Sequence, residues 1–537
     1  MKNELNFIVA VVLTLIILTC YPMLMQKFFP DQFPDKSAQT TQQPDTQNVT
    51  QKTSETVPPI AKQAEVKSAI YSKQKSYTLK SDKFLVTVNA PQADISRIEL
   101  NDILDPASKQ PTTIMEAEKN SPGIFADFGL TDSAKLENSS IVDAVGVFNY
   151  KLGNGLSVTK TIMLSDKTYQ IKGIYQIINP TDKDISLEYR MIAATGVPEA
   201  NRIASRFRDV VAIFKKGNFK KNFSSLRKTE EKSGEVEMAG FKLKYFSLVM
   251  VPFGAADKFI VDPAGDSRKT TAGIEISRVV VPAGGKLEQK YVLYAGPNDF
   301  DEMKALGVGV EQIRGTGFFA GFSDLLLFML RSLNGIFRNY GLAVIALALI
   351  VNLFLYPLTL KSMRSMKEMQ VLQPKVEALK AKYGNDTQKL NKEIVELYRS
   401  HNVNYADGCL PILLQMPVFF TLYGVLMRAI ELRGAQFLWI KDLASPDAFI
   451  VLSSNFPFIG NKINLLPLLM MAVSVVQQKM MTKGQPANDQ QKAMAMVMPL
   501  VLGVIFYNFP SGLVLYFLTN TIFSFGVQMR LKKVGNA

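Results

Sequence analysis

Long uncharged stretches lie near the two ends of the chain, and segments of alternating polarity fill much of the middle. Charged residues are absent over 5–26, 339–360, 409–427, 463–478 and 493–529. A spanning helix needs about 20 apolar residues, so the last stretch, 37 residues long, exceeds one helix. Asn508-Phe509-Pro510-Ser511-Gly512 interrupts it with a predicted turn. The pattern therefore predicts six transmembrane helices. The shortest is flanked by Lys462 and Lys479, whose stems can reach the interface.

The first uncharged stretch fits either a retained membrane anchor or a cleaved signal peptide. Its basic flank is weak, since Lys2 lies beside Glu4, and no A-x-A cleavage site follows it. Leu18-Thr19-Cys20 resembles a lipoprotein cleavage site, but Thr is large for the position before the cysteine. These features favour an N-terminal transmembrane anchor over residues 1–26.

Basic residues are unevenly distributed among the segments between the predicted spans. Residues 361–408 carry 9 Lys or Arg, 479–492 carry 3 and the tail from Arg530 carries 3, whereas the 35 residues of 428–462 carry only 4. The positive-inside rule places the basic loops and both termini in the cytoplasm, and residues 27–338 outside. Topology thus accounts for much of the net charge of +14, and no DNA partner is predicted.

The outer region is predicted to contain a disordered tether, 27–68, and a folded domain, 69–314. Most of the tether is rich in Gln, Thr, Pro and Lys and cannot bury enough apolar surface to fold. In the folded domain, polarity alternates with a period of two over strand-like runs at 84–88, 156–164, 169–178, 185–191, 243–252, 274–281 and 290–295. Gly, Pro, Asn and Asp clusters separate these runs, which predicts an antiparallel β-sandwich.

Candidate chemistry in the outer domain is sparse. It contains no His and no Cys, and no pair of its carboxylates can be assigned acid–base roles from the sequence. A folding, docking or partner-binding platform is therefore favoured over an enzyme. Elsewhere the chain has one histidine, His401, and two cysteines, Cys20 and Cys409, in different apolar stretches. This pattern predicts no catalytic residue, no metal site and no cofactor.

Two amphipathic segments flank the second predicted span. Residues 315–338 are predicted to be a flexible joint followed by a helix, 322–338, on the outer membrane surface. Residues 361–408 are predicted to form a cytoplasmic helical hairpin, with a kink or restart at Pro374 and a capped turn at Gly384-Asn385-Asp386. The hairpin is either a solvated amphipathic element or a receiving surface for apolar segments, whose methionine-rich face would be Met363, Met366, Met369 and Leu372.

Neutral polar residues lie at membrane depth in several predicted spans. They are Asn352, Gln415, Ser474, Gln477, Gln478, Asn508, Tyr516, Thr519, Asn520 and Thr521. No Asp, Glu, Lys or Arg lies deep in any predicted span, which argues against an ion-coupled transporter and against an intramembrane protease. The polar groups either bond neighbouring helices together or line a water-filled groove.

Short motifs in the C-terminal third occur in a specific order. They are Tyr356-Pro357-Leu358-Thr359, Leu372-Gln373-Pro374-Lys375, Gly408-Cys409 with Pro411, Gln415-Met416-Pro417 and Phe509-Pro510-Ser511-Gly512-Leu513. Together with Lys244-Tyr245-Phe246 and Leu293-Tyr294-Ala295-Gly296-Pro297, they resemble the YidC family of membrane protein insertases, in its Gram-negative branch with a large periplasmic domain. The resemblance covers essentially the whole chain and is strongest over 339–530.

The resemblance implies an inner-membrane protein that moves hydrophobic segments of newly made proteins from the cytoplasm into the bilayer. Five helices of a conserved core, 339–530, would enclose a hydrophilic groove, followed by a short basic tail, 531–537. The groove lining would be Asn352, Gln415, Thr519 and Asn520, and the hydrophobic exit path would be Met416, Phe419, Tyr516 and Phe517. Lys361 and Arg364 would supply charge at the groove mouth.

One position departs from the family. The family usually has an arginine four residues before the Tyr-Pro of its second span, where this chain has Asn352. A neutral amide is cheaper to bury than a charge, but it does not attract an acidic client tail. We therefore expect a groove that works by hydration.

The resemblance also implies partners, and alternatives to it remain. It implies nascent membrane proteins, the Sec translocon and membrane lipid as partners, with the ribosome and the signal recognition particle receptor as further candidates. The short tail predicts weak ribosome binding. The alternative functions are a polytopic transporter or lipid flippase with a β-sandwich receptor domain, and a structural assembly scaffold.

Overall fold

A computed structural model describes residues 75–119, 121–132, 134–198, 204–264, 268–314, 318–383, 386–401, 410–456, 460–482 and 489–534. The predicted anchor, 1–26, and the predicted tether, 27–68, lie outside the described residues. So do 315–317, the start of the predicted joint.

The outer domain is built from antiparallel strands, as its alternating polarity predicts. The strands are Lys75–Lys80 (β1), Phe84–Ala90 (β2), Asp94–Leu104 (β3), Pro111–Glu116 (β4), Asp127–Phe128 (β5), Lys135–Val142 (β6), Val145–Lys151 (β7), Ser157–Leu164 (β8), Gln170–Ile178 (β9), Ile185–Ala194 (β10), Asp209–Phe214 (β11), Asn218–Asn222 (β12), Glu230–Ser233 (β13), Val236–Lys242 (β14), Phe246–Phe253 (β15), Lys258–Asp262 (β16), Thr271–Val281 (β17) and Lys286–Pro297 (β18). They form sheets ordered β1-β2-β3-β4, β13-β16-β17-β10-β5 and β12-β11-β14-β15-β18-β9-β8-β7-β6. Side chains from all three sheets share one hydrophobic core, so the predicted sandwich is confirmed.

Several strands have no clear apolar alternation in the sequence. β12 and β6 are the two edges of the nine-stranded sheet, and β13 is an edge of the five-stranded sheet. Their sequences, NFKKN, KLENSSIV and EEKS, are rich in polar and charged residues. Charged edge strands resist pairing with other chains, which is why these strands lack the apolar pattern of the inner ones.

A buried polar cluster lies inside the sandwich. Lys160 has no exposed surface, and its Nζ donates to the carbonyl oxygens of Gln92 at 2.8 Å and Phe125 at 2.6 Å. The same Nζ lies 3.3 Å from Oδ2 of buried Asp127. Asp94, also fully buried, accepts a hydrogen bond from the Gly123 amide. Burial raises the pKa of Asp94 to about 6.

The C-terminal part is helical. Its helices are Phe300–Ala305 (α1), Phe318–Phe337 (α2), Tyr340–Val371 (α3), Gln373–Tyr383 (α4), Thr387–Ser400 (α5), Leu410–Arg428 (α6), Leu465–Thr482 (α7), Asp489–Phe506 (α8) and Ser511–Val534 (α9). Segments of α3 and α9, Tyr340–Ser365 and Ser511–Arg530, are long and apolar enough to cross a membrane, and shorter apolar helices cover Met416–Arg428, Leu465–Met480 and Val497–Phe506. Every predicted span within the described residues thus corresponds to an apolar helix.

The predicted cytoplasmic hairpin differs in one respect. Its first segment is not a separate helix, because α3 is 32 residues long and continues without a break from the predicted span into the loop. The break comes at Leu372, since Pro374 fits the first turn of α4, where its missing N–H is not needed. The hairpin proper is α4 and α5, whose shared core contains Leu372, Val376 and Tyr398. Asp386 caps α5 by accepting from the Lys389 amide at 3.0 Å, as predicted.

Candidate functional site

Two neighbouring helices, α3 and α9, carry most of the predicted groove residues. Both begin at the loop that follows α6: Gly341 lies against the ring of Phe437, and the Ser511 amide donates to the Ser445 carbonyl at 2.8 Å. The helices therefore run parallel. Lower down, the rings of Tyr356 and Phe523 lie 6.4 Å apart between them.

The ring contact fixes the relative depth of the polar residues. Asn352 lies four residues before Tyr356, and Thr519 lies four residues before Phe523. Four residues are about one helical turn, so Asn352 and Thr519 share the same depth on the facing sides of the two helices. Asn520 is the next residue of α9, and all three side chains are half-buried.

Most of these polar side chains are hydrogen-bonded within their own helices. Asn352 Nδ2 donates to the Ala348 carbonyl at 2.7 Å, and Thr519 Oγ1 donates to the Leu515 carbonyl at 2.8 Å. Bonds to the carbonyl four residues back satisfy a donor without a neighbouring helix. The hydrogen bonds of these two residues therefore do not join neighbouring helices, which weakens the helix-bonding interpretation for them.

A third helix adds polar groups one turn further along α9, at Ser524. Gln477 of α7 donates from Nε2 to Ser524 Oγ of α9 at 3.2 Å. This contact does cross between helices, so Gln477 bonds its neighbours together. Gln415 lies in the first turns of α6, but its side chain lies outside what the structure describes.

The predicted hydrophobic exit path is partly assembled as an aromatic cluster. The rings of Phe419 and Phe517 have centroids 5.2 Å apart, and Phe506 lies 4.8 Å from Phe517. Met416, one turn before Phe419, is 37% exposed. Tyr516 is fully buried in the bundle core, so it supports this cluster from inside and has no open surface.

The residues predicted for the groove mouth and the receiving surface lie mostly in the C-terminal part of α3, beyond its predicted span. Lys361 and Arg364 are exposed there, and Met363 is half-buried. Met369 and Leu372 pack into the core of the α4–α5 hairpin, which leaves them little surface for a client. The side chain of Met366 lies outside the described residues.

The outer end of the bundle is held against the sandwich by contacts that sequence analysis missed. Arg433 donates to Thr112 Oγ1 and to Asp105 Oδ2, both at 3.0 Å, and lies over the ring of Phe246 at 5.7 Å. Arg331 of α2 binds Glu431 at 2.6 Å and also pairs with Asp299. Long sequence separation hides such pairs, since Arg433 and Asp105 are 328 residues apart.

The same loop caps α9. Ser511 Oγ donates to the carbonyl oxygens of Asp442 and Ser445, and the Gly512 amide donates to the Leu443 carbonyl at 2.9 Å. Because Arg433 fixes this loop to the sandwich, a continuous set of contacts joins the sandwich to the start of α9. Within the described chain, no group of His, Cys, Asp and Glu side chains is arranged to hold a metal ion.

Comparison with known proteins gives consistent matches over both parts of the chain. Residues 332–536 match the family described as 60Kd inner membrane protein, and residues 76–329 match the YidC periplasmic domain. A protein of Geobacter sulfurreducens named membrane protein insertase YidC is 34% identical over 82% of this chain and 82% of its own length. A protein of the same name from Pelobacter propionicus is 36% identical over 73% of this chain and 72% of its own length.

Similar solved structures include an active YidC insertase with its first transmembrane domain resolved. It is 18% identical, covers 87% of this chain and 97% of that one, and has a TM-score of 0.36. A galactose mutarotase-like protein from Lactobacillus casei is 10% identical over 41% of this chain and all of that one, with a TM-score of 0.30. Both scores are too low to add to the sequence matches.

Proposed function

This chain belongs to the YidC family of membrane protein insertases, and we propose that its insertion site is a hydrated, uncharged groove formed by α3, α6, α7 and α9. It is an inner-membrane protein with a periplasmic domain, it acts on nascent membrane proteins, and its activity is not enzymatic. The groove lining would be Asn352, Gln415, Thr519 and Asn520.

One observation carries the groove proposal. Asn352 and Thr519 lie at the same depth on the facing sides of parallel helices, and each is bonded to a carbonyl of its own helix. Side chains satisfied in this way keep free acceptor capacity for water. A helix-bonding role would instead predict hydrogen bonds between α3 and α9 at this level.

Such a groove lowers the cost of moving a polar segment into the bilayer. The hydrocarbon core is about 30 Å thick and cannot satisfy backbone or side-chain hydrogen bonds. Water admitted from the cytoplasm to the depth of Asn352 shortens the dry path that a client's polar tail must cross. The client's apolar segment would then leave past Met416, Phe419 and Phe517 into lipid, driven by hydrophobic partition.

The arrangement in the membrane follows the charge pattern. We propose six spans with both termini in the cytoplasm, and the charges of Lys361 and Arg364 at the cytoplasmic mouth of the groove. The α4–α5 hairpin is proposed as a first contact for clients, with the Sec translocon, the ribosome and the signal recognition particle receptor as further partners.

Reconstitution into liposomes tests the groove. Replacing Asn352 by Leu removes the amide at similar volume and should slow insertion of a small single-span client with a polar tail by about tenfold, the effect of about 1.4 kcal/mol. The control is Phe354→Leu, an apolar exchange on the same helix at a side chain that is 83% exposed. It should leave insertion unchanged.

Two results would refute the proposal. Equal insertion by Asn352→Leu and the unmodified protein would remove Asn352 from the site. A protein that speeds passage of a solute or lipid, but inserts the client no faster than empty liposomes do, would favour the transporter or flippase alternative.

A further inference from the structure

An apolar patch lies at the outer end of the bundle, on the loop between α6 and α7. Four large side chains there are exposed: Leu438 by 76%, Phe449 by 50%, Ile450 by 46% and Val451 by 63%. Ile450 and Val451 belong to the strand Ile450–Phe456 (β19), which pairs with Gly460–Ile463 (β20). We call these four residues the outer apolar patch.

The patch is one surface, because its two segments meet. Trp439, next to Leu438, packs edge-to-face on Phe449 with ring centroids 6.1 Å apart. Trp439 Nε1 donates to Asp447 Oδ2 at 3.1 Å, and the same oxygen accepts the Leu465 and Leu466 amides that begin α7. The patch is therefore fixed to the first turn of a membrane helix.

The backbone presents Leu438 outward at a conformational cost. Leu438 has a φ of 51°, and it is the first central residue of a two-residue turn closed by Phe437 and Ile440. Glycine is usual at such a position, since a side chain strains the backbone there. A strained leucine that is three-quarters exposed contributes little to the protein's own packing, which points to a contact outside the chain.

We propose that the outer apolar patch inserts into the outer leaflet of the bilayer and binds phospholipid at the level of the glycerol groups and upper acyl chains. Ile450 pairs with Ile463, two residues before α7 begins at Leu465, so the patch lies beside the outer end of a membrane helix. The exposed Lys441 and Lys462 lie beside it and can reach lipid phosphates. Tryptophan with a bonded N–H and an apolar ring is typical of the membrane interface.

The length of α7 gives the patch a role. Its 18 residues extend about 27 Å, slightly less than the hydrocarbon thickness of about 30 Å. An apolar hairpin at its outer end lengthens the hydrophobic surface and reduces the mismatch. The patch would thereby fix the depth of α7 in the bilayer, independently of any client.

The chain's single tryptophan, Trp439, reports directly on this proposal. The full-length protein is reconstituted in phosphatidylcholine–phosphatidylglycerol vesicles whose acyl chains carry bromine near the glycerol or near the terminal methyl. Trp439 fluorescence should be quenched by both lipids, at least about twofold more strongly by the shallow bromines, as expected at the interface. Quenching no greater than in unbrominated vesicles would overturn the proposal. If a single-span client peptide abolishes the quenching, the patch binds clients and the proposal is also overturned.

Two variants separate lipid binding from internal packing. Leu438→Gly removes the apolar side chain and relieves its backbone, so quenching should fall by about half while the unfolding temperature in detergent does not fall. Val451→Gln should reduce quenching similarly. Val142→Gln, at a residue 65% exposed on the sandwich, is the matched control and should change nothing. A lowered unfolding temperature for Leu438→Gly with unchanged quenching would show a packing role instead. None of these readouts depends on insertion activity.

Discussion

Replacing Arg433 by Ala should release the loop after α6 from the sandwich and thereby loosen the start of α9. The guanidinium makes two hydrogen bonds of 3.0 Å, to Thr112 and Asp105, and lies over the ring of Phe246. Its side chain is 14% exposed, against 38% for Asp105. Partial burial desolvates the guanidinium and lowers the pKa of Arg433.

The magnitudes indicate which contact dominates. The pKa of Asp105 is lowered first by the Ser108 amide and only to a smaller extent by Arg433. Asp105 therefore stays satisfied without the arginine, and this partly exposed ion pair contributes about 0–1 kcal/mol. The Thr112 bond and the Phe246 contact add about 1–2 kcal/mol together. We expect Arg433→Ala to cost about 2 kcal/mol and Asp105→Asn to cost less than about 1 kcal/mol.

Hydrogen exchange measures this locally. The Ser511 and Gly512 amides donate to carbonyl oxygens of the loop, so they report opening at the start of α9. A loss of about 2 kcal/mol should speed their exchange roughly 30-fold in Arg433→Ala, and less than about fivefold in Asp105→Asn. Arg97→Ala is the control, because Arg97 pairs with Glu99 on the sandwich at 2.9 Å. Unchanged exchange in Arg433→Ala, or equal effects of Arg433→Ala and Asp105→Asn, would refute the coupling.

Further predictions concern the sandwich core and the hairpin. Asp94→Asn should flatten the pH dependence of the free energy of unfolding. The raised pKa of Asp94, about 6 against 3.8, stabilises the fold by roughly 3 kcal/mol below pH about 4, and this contribution is lost as the pH rises to about 6. Thermal unfolding at several pH values, monitored by the circular dichroism of the strands, measures this difference. Lys160→Met should cost about 3–5 kcal/mol in the same measurement, because it leaves Asp127 buried without its cation; a smaller loss than for a surface lysine would contradict this. Asp386→Ala should destabilise the first turn of α5 by about 1 kcal/mol, because it removes the N-cap bond, and the Lys389 amide should then exchange faster.

The sequence predicted elements whose signal is local and missed contacts that join distant segments. The apolar helices and the inner strands follow from periodicity, because burial of one face requires it. Edge strands such as β13, with the sequence EEKS, carry no apolar face to detect. Neither Lys160 nor Arg433 has a local signature, since their partners lie far away in the chain.

The predicted groove lining shows the same limit in a subtler form. The positions of Asn352 and Thr519 in their helices could be predicted, and the structure places them at one depth. Their hydrogen bonds could not be predicted, because a polar residue in a span can bond its own helix or another one equally well. The structure distinguishes these cases by giving Asn352 and Thr519 intrahelical bonds and Gln477 an interhelical one.

Thr519 can therefore be tested against a neighbour with the same chemistry. Thr519 and Thr521 are both half-buried, and each donates at 2.8 Å to the carbonyl four residues back. Two residues turn a helix by about 200°, so only Thr519 shares the face of Phe523 toward α3. Thr519→Val should slow insertion of a client with a polar tail several-fold without lowering the unfolding temperature, because it removes a site for groove water. Thr521→Val should leave insertion unchanged. If the hydroxyls only bond the helix, the two variants will behave alike, and the hydrated groove will lose its support from α9.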